Sequence, residues 1–281
     1  TTIKIRGTGT INDSNPLYVV DGFIVDEIDH LNPNDIANVE ILKDAASSAI
    51  YGARAANGVV SITTKSGEKG ATKITFDSFW GASNPCKKIN VLDIEGYALV
   101  QDYINGTSFY SADVQIYQTK DPITGALSYD AGKYHSVDTI RRNSPSNWWD
   151  AITQTGIKQQ YNVTISGGNE KNQYMVSGSY YDETGVINTS AYNRFNTRAN
   201  VNSQVFSWLK MNANAMYTNE NRHVVPEGTN SILKSALYQN PFTYTYDAKG
   251  YYAANHPIAT LARNHDDRRN NRIDLNLSLT A

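Results

Sequence analysis

The sequence is poor in the features that usually announce a chemistry. Of its 281 residues only Cys86 is a cysteine, which excludes a disulfide framework and any cysteine-rich zinc or iron–sulfur site. No run of about 18 apolar residues occurs, so no transmembrane helix is expected, and no apolar signal segment follows Thr1. Charged residues make up 19 % of the chain and nearly cancel, at a net charge of −2. The basic excess of a nucleic-acid footprint is therefore lacking, and no nucleic-acid partner is expected. The five histidines, His30, His135, His223, His256 and His265, show no i, i+4 pairing, and neither a phosphate loop nor a nucleophile elbow is present. His265-Asp266-Asp267 beside Arg268 and Arg269 reads as a solvated charge cluster. No enzymatic activity, resident metal or cofactor is expected.

What is abundant is tyrosine, 19 residues, and asparagine, 30 residues. That bias favours β structure joined by turns. Alternation makes the case segment by segment. In Gln160–Ser166, Tyr161, Val163 and Ile165 alternate with polar residues. Arg194–Asn202, Leu209–Tyr217 and Arg272–Thr280 repeat the pattern, while Thr72–Trp80 and Gln173–Tyr181 follow it less strictly. Period two gives each sheet one apolar and one polar face.

Two architectures make that pattern. A soluble sandwich buries the apolar face, whereas an outer-membrane barrel turns it to lipid and keeps the polar face in a hydrated lumen. The polar partners here are mostly Asn, Ser, Thr and Gln rather than Lys and Glu, which suits a lumen. Connections also alternate in length. Gly167–Lys171 and Ser203–Ser207 are tight, Asp182–Asn193 is intermediate, and 82–158 and 220–271 are long. Short periplasmic turns and long extracellular loops are a barrel's rule. Helices are predicted inside the long loops at Ile94–Ile104 and Ser231–Gln239.

The first 70 residues differ in texture. Pro16–Gly22 (PLYVVDG) reads as a strand entering an Asp-Gly turn, with Phe23–Val25 returning. Val39–Lys43 is a short strand, Asp44 caps a small helix Ala45–Ile50, and Gly52 sits at its C′ position. Asn57-Gly58 turns the chain into strand Val59–Thr64. The string from Pro16 to Gly67, with LNPNDI at 31–36 and LKDA, IYG, ANGV and ITTK after it, closely resembles the plug domain of TonB-dependent outer-membrane transporters. The resemblance is strongest to the SusC/RagA-like branch. Asn147–Asp150 (NWWD), Tyr161–Gly168 (YNVTISGG) and Thr184–Asn200 resemble that branch's first barrel strands.

The fold expected is mainly β: a small mixed α+β plug over 1–70, then about six antiparallel strands of a large transmembrane barrel over 71–281, with long extracellular loops at 82–158 and 220–271. The resemblance implies a 22-stranded plugged barrel, so the chain is expected to be a fragment. It also implies active import of oligosaccharides or peptides with TonB-transmitted energy, without a cofactor. Its expected partners are a SusD-like surface lipoprotein lid, TonB through a region outside these residues, outer-membrane lipids and a glycan or peptide substrate. The expected location is the outer membrane of a Gram-negative, Bacteroidetes-like bacterium. A siderophore or cobalamin receptor is the second reading, and a soluble β-sandwich adhesin or carbohydrate-binding module the third.

Hairpin parity, from a strand Ile3–Arg6 onward, puts the loop Thr8–Asn15 and the segment Asp26–His30 at one end of the plug and Asp21-Gly22 at the other. By resemblance the shared end faces outward. Asn12, Asp13, Asp26, Glu27 and Asp29 are then candidates to line the floor of the external cavity; the alternative is solvated turn residues. Tyr244 and Tyr246, in the second long loop, are candidate substrate contacts through their ring faces. Trp148 and Trp149 read as girdle or packing residues.

Overall fold

The computed structural model describes residues 15–44, 49–86, 88–106, 115–120, 127–135, 144–145, 147–228, 231–247, 249–253 and 256–281. The predicted strand Ile3–Arg6 and residues 45–48 of the predicted helix lie outside this set. Two sheets organise the chain. The smaller holds β1 (Leu17–Val20), β2 (Phe23–Val25), β3 (Ile36–Leu42) and β4 (Val59–Thr64) in the order β2-β1-β4-β3, with β1 parallel to β4 and the other pairs antiparallel. Asp21 at φ 50° and Gly22 at φ 87° supply the two positive φ values that a two-residue hairpin turn requires. The central strands β1 and β4 are apolar on both faces. Val19, Val59 and Ala55 pack on one side, and Tyr18, Leu31, Val60 and Ile62 on the other.

The larger sheet is antiparallel throughout and six strands wide. It contains β5 (Gly70–Ser83), β8 (Gly156–Gly168), β9 (Asn172–Thr184), β10 (Ala191–Phe206), β11 (Leu209–His223) and β12 (Asp267–Thr280), in the order β12-β11-β10-β9-β8-β5. Directly paired residues share a face, so its register reads as rows. One row is Ile74, Ile165, Val176, Ala199, Ala215 and Leu275; another is Phe76, Val163, Gly178, Thr197, Tyr217 and Ile273. This face leaves Ile74, Phe76, Val176, Leu275 and Leu277 exposed. The opposite face buries Asn162, Ser177, Ser179, Arg194, Asn196, Arg198, Asn200 and Thr218. A sheet with its apolar side out and its polar side buried is the inverse of a soluble sandwich, and it fits a barrel wall. From Phe195 to Val205 the strand spans about 33 Å at about 3.3 Å per residue, and a tilt of about 40° reduces that to about 25 Å, the height of an outer-membrane apolar band. Aromatic residues mark both edges: Tyr161, Tyr180 and Phe195 in one row, and Phe206 stacked on Trp208 at 5.5 Å at the short-turn end.

The strands run further into the long connections than alternation predicts. β11 reaches His223, β12 begins at Asp267 and β8 at Gly156. Their outer ends form a row of Gln159, Asp182, Asn193, Asn221 and Arg269 on the lipid-side face. Above the apolar band both faces meet water, so the alternation fades while the hydrogen-bonded ladder continues. In Thr72–Trp80 the pattern is loose because Phe79 pairs with Gln160 on the inner face.

The long loops are more ordered than expected. Helix α1 (Ile94–Asn105) and an antiparallel hairpin, β6 (Gln115–Lys120) with β7 (Leu127–His135), occupy the first. Three short helices, α2 (Trp148–Ile152), α3 (Ile232–Tyr238) and α4 (Pro257–Arg263), join the two loops through a core of Trp148, Ile152, Val225, Ile232, Ala236 and Leu261. Trp148 is therefore a packing residue and not part of the girdle; its Nε1 donates to the Asn240 carbonyl at 3.1 Å. Asn147 caps α2, its Oδ1 accepting from the amides of Trp149 (3.0 Å) and Asp150 (3.2 Å). Asn147→Ala should cost this helix about 1 kcal/mol, read as a roughly fivefold faster hydrogen exchange at those amides with barrel amides unchanged.

Candidate functional site

The small sheet lies against the polar face of the large one, and the seam between them is made of hydrogen bonds. Arg198 of β10 donates through Nη2 to Asp21 Oδ2 at 3.0 Å and to Thr64 Oγ1. Asp21 in turn accepts from the Thr64 amide at 2.8 Å and from its hydroxyl at 2.5 Å. The LNPNDI segment forms the second attachment. Pro33–Asp35 is a short 3-10 turn capped by Asn32, whose Nδ2 donates to Asn162 Oδ1 at 2.8 Å and whose Oδ1 accepts from Gln160 at 3.0 Å. Asp35, in the same turn, is buried at 8 % exposure. The third attachment holds backbone: Arg194 Nη1 donates to the Asp29 carbonyl and Asn196 Nδ2 to the His30 carbonyl, each at 2.9 Å. Gly67, on the connection to β5, lies so close to Tyr174 that an added Cβ would meet its backbone nitrogen at 2.3 Å, so this crossing requires glycine.

These contacts order the plug along the wall. Asp29 meets Arg194 and Asp21 meets Arg198, four residues nearer the short turns along β10. The Asp26–His30 segment thus lies toward the long-loop end relative to Asp21. Beside it a cleft of about 240 Å³ is lined by Glu27, Asp29 and His30 from the plug and by Glu220, Arg222, Arg268, Arg269 and Asn270 from the wall. Glu27 and Asp29 are thus brought together at one cleft. Asp26 is exposed and does not line it. Asn12 and Asp13 lie outside the described residues.

Tyr244 and Tyr246 do not line the cleft either. Tyr246 stacks on Tyr252 with ring centroids 5.2 Å apart, and Asp247 ties the adjoining turn by accepting from the amides of Lys249 and Tyr251. The acidic pair near His265 is locally neutralised, since Asp266 receives a two-pronged bond from Arg268. Among the described residues no group of three or more His, Cys, Asp or Glu is placed to hold a metal ion. No described helix is long and apolar enough to cross a membrane.

Two plug groups at the seam titrate abnormally. Burial, reinforced by Arg272, pushes His30 below the ordinary histidine range. Burial pushes the Asp35 carboxyl above its usual range, partly opposed by Ser177 and Arg198. The seated plug disfavours protonated His30, so seating weakens as pH falls through about 6.5 toward the lowered value. Asp35 acts oppositely, since its ionisation opposes seating above its raised pKa and that cost disappears on acidification. Replacing His30 with glutamine isolates the first effect. Amide protection in β1 and β4 of the wild type, taken relative to His30→Gln at the same pH, should fall from pH 7.5 to 5.5; a constant ratio would contradict it.

Residues that sequence reasoning did not select, Asn32, Asp35, Thr64, Arg194, Asn196 and Arg198, carry the seam. The signal was in the alternation, which puts Arg194, Asn196 and Arg198 on one polar face, although it does not say what that face meets.

Comparison with known proteins agrees with this geometry. The profile of the TonB-dependent Receptor Plug Domain matches residues 1–59. TonB-dependent receptor P39 of Formosa agariphila is 32 % identical over 278 residues, covering 95 % of this chain and 24 % of the relative. TonB-dependent receptor SusC of Bacteroides thetaiotaomicron is 32 % identical over 263 residues, 89 % of this chain and 23 % of the relative. The chain thus spans about a quarter of the length of these relatives. The RagAB peptide importer in its open-open state superposes with a TM-score of 0.66 at 27 % identity, over 90 % of this chain and 30 % of that one. A second structure, of the RagAB peptide transporter, gives a TM-score of 0.73 over 99 % of this chain and 34 % of that one; at 22 % identity it supports the fold alone. With a plug sheet seated on the polar face of an unclosed barrel wall, the chain belongs to the SusC/RagA-like branch of the TonB-dependent outer-membrane receptors.

Proposed function

We propose that this chain is the plug portion (1–70) and the first barrel wall (71–281) of an importer that moves oligosaccharides or peptides across the outer membrane. Energy reaches the plug through TonB, and a SusD-like surface lipoprotein closes over the long loops. The observation that carries this reading is the seam. Plug and wall meet mainly through hydrogen bonds of Asp21, Asn32, Arg194, Asn196 and Arg198, which water can replace when the plug moves. A dry hydrophobic interface would resist that exchange. Among the described residues that contact the plug's apolar clusters, Met216 is the one contributed by the wall.

The RagAB structures support peptide cargo by name, and the name of SusC, a TonB-dependent receptor, supports the TonB dependence. The test uses the full-length protein in cells. Uptake of labelled oligosaccharide or peptide should cease on loss of TonB, and the protein should co-purify with a surface lipoprotein. Uptake confined to ferric siderophore or cobalamin would move the assignment to that class of receptor. A water-soluble monomer needing no detergent would overturn the membrane reading.

A further inference from the structure

The cleft beside the plug's Asp26–His30 segment carries both signs of charge. Glu27 and Asp29 enter it from the plug, while Glu220, Arg222 and Arg268 enter from the wall. Several of these groups are weakly engaged. Glu27 approaches Arg272 only to 3.8 Å, and Arg222 approaches Glu220 only to 3.8 Å, both beyond hydrogen-bond distance. Glu220 and Arg222 are nonetheless held in place by one ring: Tyr192 donates to Glu220 at 2.7 Å, and the Arg222 guanidinium lies 5.0 Å from the ring centre.

His30 lines the cleft at 4 % exposure, its Nε2 3.8 Å from Asp274 Oδ2. Among the described residues no Phe, Tyr or Trp lines the cleft, so the broad stacking face that a sugar ring uses is missing there.

We propose that this cleft is an ionic subsite for a zwitterionic short peptide, its ammonium group meeting Glu27 and Asp29 and its carboxylate meeting Arg222, while Arg268 stays paired with Asp266. The inference rests on the importer reading above and narrows its cargo to peptides over neutral oligosaccharides. The experiment is calorimetric titration of the purified full-length protein with tetraalanine, its N-acetylated form, its C-amidated form and maltotetraose. Tetraalanine should bind, either cap should weaken it about tenfold or more, and maltotetraose should not compete. Glu27→Gln combined with Asp29→Asn should erase the effect of N-acetylation and keep that of C-amidation; Arg222→Gln should do the reverse. Equal binding of capped and free peptides, no binding of tetraalanine at millimolar concentration, or competition by maltotetraose would overturn the proposal. Parallel uptake assays separate the two readings. TonB-dependent uptake with no sensitivity to capping removes the subsite and leaves the importer. The expected binding order without TonB-dependent uptake of any probe does the opposite.

Discussion

Replacing Arg198 with alanine should loosen the plug by about 3–5 kcal/mol, the cost of removing one partner from a buried ion pair. Arg198 is 4 % exposed as a side chain and Asp21 16 %, so solvent screens the pair little. The loss leaves the Asp21 carboxylate buried at a positive-φ turn and takes from Thr64 its link to the wall. At about 1.4 kcal/mol per decade, amide protection in Leu17–Val20 and Val59–Thr64 of the full-length protein should fall by about two to four orders of magnitude. Protection in β9 and β11 should hold, because their ladder bonds do not depend on the plug. Asp21→Asn combined with Arg198→Met should recover part of the loss, since removing both charges of a buried pair costs less than removing one. Protection within threefold of wild type in Arg198→Ala would show that the plug is held elsewhere.

That latch explains which parts of the molecule were legible in the sequence. β1, β2 and β4 fall on the predicted residues because their ends are set by local chemistry: Asp21-Gly22 at one turn and Asn57-Gly58 at another. The six wall strands were legible as alternation, but their outer ends were not, since residues such as Asn193 and Asn221 face water on both sides of the sheet. Helix α3 falls within the predicted Ser231–Gln239, and α1 runs one residue past the predicted Ile94–Ile104. Helix α4 was hidden because its cap is His256, whose Nδ1 accepts from the Ala259 amide, a role more often given to Ser, Thr, Asp or Asn. The β6–β7 hairpin was missed, although Pro122 and Gly125 separate its two Tyr-containing runs. The cleft was legible by half. Parity brought Glu27 and Asp29 to one end of the plug, but Arg222 and Arg268 come from positions about 200 residues later, and only register places them opposite.

The outer face of the wall gives the second large effect, and it decides between the two architectures that alternation allows. Val176 lies in a row with Ile165, Ala199, Ala215 and Leu275, midway between the aromatic row at Tyr180 and the short turns. It is 47 % exposed in the chain alone, so a soluble protein would accept arginine there within about 0.5 kcal/mol. In a bilayer the same position faces hydrocarbon, and Val176→Arg should cost about 2–4 kcal/mol, whereas Gln159→Arg, in the polar row beyond the aromatic edge, should cost about 0–1 kcal/mol. Urea unfolding of the full-length protein in phospholipid vesicles reads both. A clear drop in the midpoint for Val176→Arg beside a small change for Gln159→Arg supports a lipid-facing wall, because both substitutions add the same charge to the same face at different depths, and Gln159→Arg additionally gives up the Gln159 bonds to Asp182 and Tyr161. Equal, small shifts would mean that the exposed apolar row meets water, and the barrel assignment of this face would fall.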